Sequence, residues 1–478
     1  MVWGGNDGAV DRWVKQLEEN DRKLVSLHIL SFRRISTIEL GRIFDAISTN
    51  TVLEDLYVSG HALDAACMNQ LSEALTLNNT LRTLNLGDTS FGLHADVFGL
   101  FCEGLAANEG LLKLDLENKG LKHATIRLLA EALKKNKHLE SINVSRNDLD
   151  DEAVEILAPC LTRLKTVNMA INHIGAAGAK TIAEKMLGPS SQIEELELSD
   201  NPLLEGASVL ASALKDNRRL RVLKMVDVVS NEQELTSLPP SALGEAVEGG
   251  KLDDEEEHKK RKNSDQTRAL HGNALAEAVG RALEINTALT CLWLDNNAIE
   301  SSALNHLAAN LGKSGLLELK LRQNRLEDEA ALLLADAIDG LQHLELGENG
   351  VSAKGFGALL DTKLDYLGLF SNTVGGFGSD PSLLPQLLSS KISRLDIGCN
   401  GIVHQDVEAI VQVLINKGVP ELRLLEMGGN VEDKEIEQWE NTLKRLLSER
   451  DKLEVIWKRK PSEMDASRLP PPPPTPMM

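Results

Sequence analysis

The chain of 478 residues carries 51 Lys and Arg against 72 Asp and Glu, a formal charge of −21, with 42% hydrophobic but only 3% aromatic residues. That length exceeds what one compact core usually holds, so the chain is either several domains or a repeat array, with a core built mostly of aliphatic side chains. The acidic balance argues against nucleic acid or an anionic membrane surface as a partner, and it fits solubility or a basic protein partner.

The chain starts MVWGGNDGAVDRW, with neither a basic n-region nor an apolar h-region, which predicts no secretory leader. No run of about 18 apolar residues is present to span a membrane. Residues 8–22 place Val10, Trp13, Val14 and Leu17 on one helical face, and residues 1–22 read as an N-terminal helical cap. A separate partner helix is the alternative.

From Leu24 the chain repeats itself. The stretch at Ile193, IEELELSDN, sets apolar residues at positions 0, 3 and 5 and an asparagine at 8. Nine clear copies begin at Leu139, Leu164, Ile193, Leu289, Leu316, Leu341, Leu364, Ile392 and Leu422, and five degenerate ones at Leu24, Leu53, Leu81, Leu111 and Leu220. Starts lie 23 to 30 residues apart, except for a gap of 69 after Leu220. Such a period means a solenoid. Positions 3 and 5 alternate inward as on a short strand, and an asparagine at the turn offers donors and an acceptor to stranded backbone groups. Stretches such as SALNHLAANL (302–311) and ATIRLLAEAL (124–133) then show helical spacing. Each repeat reads as strand, turn and helix.

The L-x-x-L-x-L-x-x-N stretch, the helix and the period near 28 resemble the ribonuclease-inhibitor type of leucine-rich repeat over residues 24 to 430. The resemblance implies an α/β horseshoe solenoid of about 14 strand–turn–helix repeats over residues 23–430, with a parallel concave sheet and convex helices. The first four copies depart from it, with Phe32, His61, Thr89 and Lys119 in place of the asparagine. That end is expected to be less regular, or worn to fit a partner.

Residues 230–268 fill the long gap. Pro239-Pro240, Gly249-Gly250 and opposed charge blocks read as a disordered charged insertion. Lys259-Lys260-Arg261-Lys262 resembles a nuclear import signal, against a plain solvated loop as the alternative. Ser264 follows these basic residues as a candidate for phosphorylation. Residues 431–460 offer a helix through Ile436, Trp439, Leu443 and Leu446 and then LEVIW, read as a C-terminal cap. Residues 461–478 form a proline-rich tail. Pro470 to Pro474 favour an extended polyproline II rod, and Arg468, Pro471 and Pro474 have the spacing of an SH3 ligand, with EVH1 or profilin ligands also resembled and an unused disordered tail as the alternative.

No strong catalytic motif is present. Gly175-Ala-Ala-Gly-Ala-Lys180-Thr181 looks a little like a phosphate loop, but the glycine beside the lysine is missing. The five cysteines, Cys67, Cys102, Cys160, Cys291 and Cys399, are odd in number and widely separated, which predicts buried thiols rather than disulfides or a zinc ribbon. No catalytic residue, cofactor or metal site is expected. On the concave face the strand positions between the buried ones are mostly polar, with large rings at Trp293, Tyr366, Phe370 and Tyr57. These rings are the expected binding anchors, with Asp295, Glu318, Lys320, Arg322 and Glu345 as charged neighbours. The alternative is that the rings pack only on adjacent strand side chains.

The expected function is a non-catalytic protein–protein scaffold. It binds a protein on the concave face or rim and a second partner through the tail, in the cytoplasm or, through the basic block, the nucleus. Two other readings rest on similar repeats: a Ran-type GTPase-activating protein, and an actin-cytoskeleton regulator akin to the leiomodins and tropomodulins. Neither contributes identifiable residues here.

Overall fold

The computed structural model of the chain describes residues 8–230, 254–379 and 384–458. The tail residues Arg468, Pro471 and Pro474 and the first part of the charged insertion lie outside the described residues. The chain divides into two compact units, residues 1–297 with 313–315, and residues 298–312 with 316–478. Both are leucine-rich-repeat solenoids.

In the first unit nine strands lie side by side in chain order, all parallel: β1 Ser26–His28, β2 Asp55–Ser59, β3 Thr83–Gly87, β4 Lys113–Asp115, β5 Ser141–Asn143, β6 Thr166–Asn168, β7 Glu195–Glu197, β8 Val222–Lys224 and β9 Cys291–Trp293. The register sets equivalent leucine positions opposite one another, as in Leu114↔Ile142 and Ile142↔Val167. The helices that follow are α1 Ala9–Glu18, α2 Thr37–Ile47, α3 Ala65–Leu77, α4 Ala95–Ala107, α5 His123–Lys135, α6 Asp151–Leu161, α7 Ala176–Thr181, α8 Gly206–Ala213 and α9 Asp254–Leu283.

The second unit repeats the plan with β10 Glu318–Lys320, β11 His343–Glu345, β12 Tyr366–Gly368, β13 Arg394–Asp396, β14 Leu424–Glu426 and β15 Glu454–Ile456, again parallel and in order. Its helices are α10 Asn305–Leu311, α11 Asp328–Ala335, α12 Ala353–Leu360, α13 Leu384–Ser389, α14 His404–Ile415 and α15 Ile436–Glu449. All fourteen expected strands are present, and β15 in LEVIW adds one more by pairing with β14. Its stack continues past the last copy of the motif because Val455 supplies the inward side chain opposite Leu425.

The coils are held by three recurrent devices. The first is the expected asparagine. Asn147, 1% exposed, donates to the carbonyls of Leu116, Val144 and Ser145 and accepts from the amides of Lys119 and Leu121. Asn172, Asn372 and Asn400 make equivalent bonds to the coils before them. Where Lys119 stands in this position, its buried ammonium takes over the donor role, reaching the Gly87 carbonyl and the Ser59 hydroxyl, each at 2.9 Å. Burial holds that lysine below its ordinary pKa.

The second device is a further asparagine ladder at the helix ends of the first unit. Asn50, Asn78, Asn108, Asn136, Asn217 and Asn286 each stand three residues before a leading leucine. Asn136 donates to the Leu105 and Asn108 carbonyls at 2.8 and 3.0 Å and accepts from the His138 and Leu139 amides. Asn78 and Asn108 repeat the pattern one coil earlier each time.

The third is a left-handed residue just before the turn position, whether asparagine, Lys119 or Val228 stands there. Asn118, Arg146, Ile171, Asp200, Asp227, Asn296, Gln323, Glu348, Ser371 and Cys399 all have φ between 49° and 59°. Asparagine and aspartate tolerate this region, whereas a β-branched side chain is strained there by roughly 1–2 kcal/mol. Ile171→Asn is therefore expected to stabilise the protein by about 1 kcal/mol. The shift in guanidinium midpoint relative to wild type measures it, and an unchanged or lowered midpoint contradicts the strain.

The N-terminal helix α1 lays Val10, Trp13, Val14 and Leu17 against α2. The Asn50 amide bonds the Leu17 carbonyl at 2.8 Å, and Arg42 pairs with Asp11 at 2.8 Å. Residues 254–268, expected as part of a disordered excursion, are instead the first half of the 30-residue helix α9. The acidic block Glu255, Glu256 and Glu257 precedes the basic block Lys259, Lys260 and Arg261 by four residues, a spacing and order that favour helix. The rest of α9 packs on α8 and buries Leu275, Ala276 and Val279. Among the described residues no helix is long and apolar enough to cross a membrane.

Candidate functional site: the sheet face turned away from the helices

Most of the three-residue strands bury the middle residue and leave the flanking two half-buried on the opposite face of the sheet. The strands fix these side chains in rows, because the parallel register places equivalent positions of successive coils side by side.

In the first unit, Glu197, Lys224 and Trp293 are one such row. The Lys224 ammonium lies 4.4 Å from the centre of the Trp293 ring and 3.5 and 3.6 Å from Glu195 and Glu197. A cation over an indole face is favourable by about 0.5–2 kcal/mol. Trp293 is thus held flat under a lysine that two carboxylates hold in place. At the other end of the unit Tyr57 stacks on His28 with ring centres 4.3 Å apart. Burial, then the charges of Asp55 and Asp115, push its hydroxyl pKa up.

The second unit brings together Glu318, Lys320, Arg322, Glu345, Tyr366 and Phe370. The Tyr366 hydroxyl donates to Glu345 at 2.9 Å, and the Gly347 amide donates to the same carboxylate at 2.8 Å. Arg394 lies 5.3 Å over the Tyr366 ring while bonding His343 at 3.0 Å and Asp365 at 3.2 Å. Arg322 pairs with Glu348 and lies 5.5 Å over Phe370. Lys320 stands 3.5 Å from Glu318. The Glu345 carboxylate folds into the space over Gly368, where a Cβ would come within 2.2 Å of it. Beside it on the same row stand Asp396 and Glu426. Burial, then the charges of Glu345 and Glu426, push the Asp396 carboxyl up to about 7. Burial, followed by Glu345 and Asp396, raises Tyr366 well above its ordinary value.

The rings named from the sequence therefore do rest on adjacent side chains, and each is half-buried. Trp293 and Tyr57 belong to the first unit, Tyr366 and Phe370 to the second. The sequence reading missed Lys224, His28, His343, Arg394 and Asp396. The signal was available: these residues hold the same strand positions as the ones it chose. A ring held rigidly under a cation loses little entropy on docking, so such rows suit contact with a protein surface.

Other motifs resolve as structure. The amides of Gly175 and Gly178, which a phosphate would need, both donate to the Asp151 carboxylate at 2.7 and 2.8 Å. Burial raises the thiols of Cys67, to about 11, and of Cys102 and Cys160. Among the described residues no group of three or more His, Cys, Asp or Glu side chains could hold a metal ion.

A leucine-rich-repeat family model matches residues 135–158. The chain is 28% identical over 322 residues to mouse ribonuclease inhibitor, covering 63% of this chain and 66% of that protein. It is 26% identical over 360 residues to pig ribonuclease inhibitor, covering 71% of this chain and 74% of that one. It is also 27% identical over 290 residues to mouse NACHT, LRR and PYD domains-containing protein 12, covering 59% of this chain. The chain spans only 26% of the length of that last relative.

Proposed function

We propose that this chain, a leucine-rich-repeat protein of the ribonuclease-inhibitor type, is a scaffold that binds a protein partner through the strand faces just described and catalyses no reaction. The observation that carries the reading is the placement of large rings on those faces, each partly buried and pinned by a neighbour: Trp293 under Lys224, and Tyr366 between Glu345 and Arg394. The two relatives named as ribonuclease inhibitors act on a protein, which supports a protein partner here. The formal charge of −21 favours one whose contact surface is basic. The proline-rich tail is read as a second docking site for an SH3-, EVH1- or profilin-type partner through Arg468, Pro471 and Pro474.

The test is affinity capture from lysate with the full chain and with Trp293→Ala and Tyr366→Ala. A specific partner is expected to be retained by wild type and recovered at least about tenfold less by the double variant, since buried aromatic anchors contribute 2 kcal/mol or more. Equal recovery by wild type and double variant removes the strand faces from the reading.

A further inference from the structure

The turn after β1 differs from the later ones. Phe32 occupies the position that an asparagine holds in nine later copies, yet it is 71% exposed. Leu30 is 53% exposed and Ile38 78%, and Phe32 and Ile38 are the two most exposed large apolar residues among those described. Three such side chains lie within nine residues, closer in the chain than the scattered single exposures of an ordinary surface.

The charge around them is also unusual for this chain. Residues 23–38 contain no Asp or Glu, but they carry Lys23, Arg33 and Arg34 in a molecule of net charge −21. Arg33 and Arg34 are exposed. The acids next in line are engaged: Glu39 closes the capping box with Ser36, and Asp21 accepts from the Gln16 side chain and the Lys23 amide.

The turn is also fixed in place. The Arg33 guanidinium lies 5.5 Å from the Trp13 ring. Ser31 packs on Gly60, whose φ of +82° and distance of 2.6 Å from a built Cβ to the Ser31 Cβ leave room for no side chain. An exposed apolar patch presented on a preformed turn needs little ordering to bind.

We propose that the turn Leu30–Ile38 is a docking surface for a segment of a partner protein in which large apolar side chains are flanked by carboxylates. The carboxylates meet Arg33 and Arg34, and the apolar groups cover Phe32, Leu30 and Ile38. Charge complementarity also gives specificity, because the rest of this acidic molecule repels such a segment and leaves this turn as its place of contact. The occupant differs in sign from the basic partner expected on the strand faces, so the two sites stand or fall separately.

A displayed random-peptide library selected on the full chain tests the proposal. Enriched sequences are expected to pair Asp or Glu with Leu, Ile, Phe or Trp. Synthetic peptides made from them should bind wild type and lose at least tenfold in affinity on Phe32→Ser/Ile38→Ser and on Arg33→Glu/Arg34→Glu. They should weaken as salt rises and keep full affinity on Tyr366→Ala. Because the substituted side chains are exposed, thermal unfolding of both double variants should match wild type. Enriched peptides without acids, no enrichment, or affinities unchanged on both double variants overturn the proposal. So does binding to phosphatidylserine vesicles in place of peptides, or concentration-dependent dimerisation that Phe32→Ser abolishes; these outcomes assign the patch to a membrane or to a second copy.

Discussion

Asn147→Ala is expected to destabilise the protein by about 4 kcal/mol, among the largest losses a single substitution at a polar position gives. The amide of Asn147 makes three donor and two acceptor bonds, all to backbone groups and all buried. Truncation strands the carbonyl of Leu116 and the amides of Lys119 and Leu121, while the Val144 carbonyl keeps its bond from Asn172. Each stranded group costs about 1–3 kcal/mol, partly relieved by relaxation. Guanidinium unfolding measures the total, and hydrogen exchange locates it: the Lys119 and Leu121 amides should lose protection first. The same change at Asn143, which is half-buried on the strand face and accepts from Ser145, should cost far less. If Asn147→Ala costs no more than Asn143→Ala, the ladder is not what fastens the coils.

Asp396→Asn is expected to stabilise the protein at pH 8 by about 2 to 4 kcal/mol. The folded carboxyl keeps its proton up to about pH 7, whereas the unfolded one releases it near 3.8. Between those values the folded state binds more protons, so this group's contribution to stability is present at low pH and is lost as pH rises through the window from about 4 to 7. Above it, the charged Asp396 faces Glu345 and Glu426, which the Gly398 amide and the Arg322 charge offset in part. Asparagine cannot ionise, and its oxygen still accepts from the Gly398 amide where Asp396 does so at 2.9 Å. Denaturation of wild type and variant from pH 5 to pH 8 should give curves that are already apart at pH 5, diverge further up to about pH 7 and then run parallel. Curves parallel throughout contradict the assignment.

The periodic leucines made the strands legible, because each copy must set positions 3 and 5 inward to bury anything. All fourteen starts match strands in the structure. The turn asparagine was legible for the same reason, as a polar residue recurring at a place with no water. The ladder at Asn78, Asn108 and Asn136 was equally periodic, but it sits outside the motif window, three residues before the leading leucine, and was overlooked. The left-handed position was not legible, since its residues, from Asn118 to Ile171 to Cys399, share a backbone angle and no side-chain chemistry. The helix from Asp254 was misjudged because charge density was weighed without the order of the charges. The rings of the candidate site were found by alternation. Lys224 and Arg394 stand at the same strand positions and were legible in the same way, but which cation reaches which ring depends on neighbouring coils that no single repeat displays.

The claim that the strand faces grip a protein is tested most directly by placing a photo-crosslinking amino acid at one position at a time in the full chain. Trp293 and Tyr366 represent the strand faces, and Val209 and Leu332, exposed on α8 and α11, represent the helices. Irradiation in native lysate is predicted to give the same partner adduct from the two strand positions and none from the helical ones. Adducts from Val209 and Leu332 with none from Trp293 or Tyr366 would contradict it.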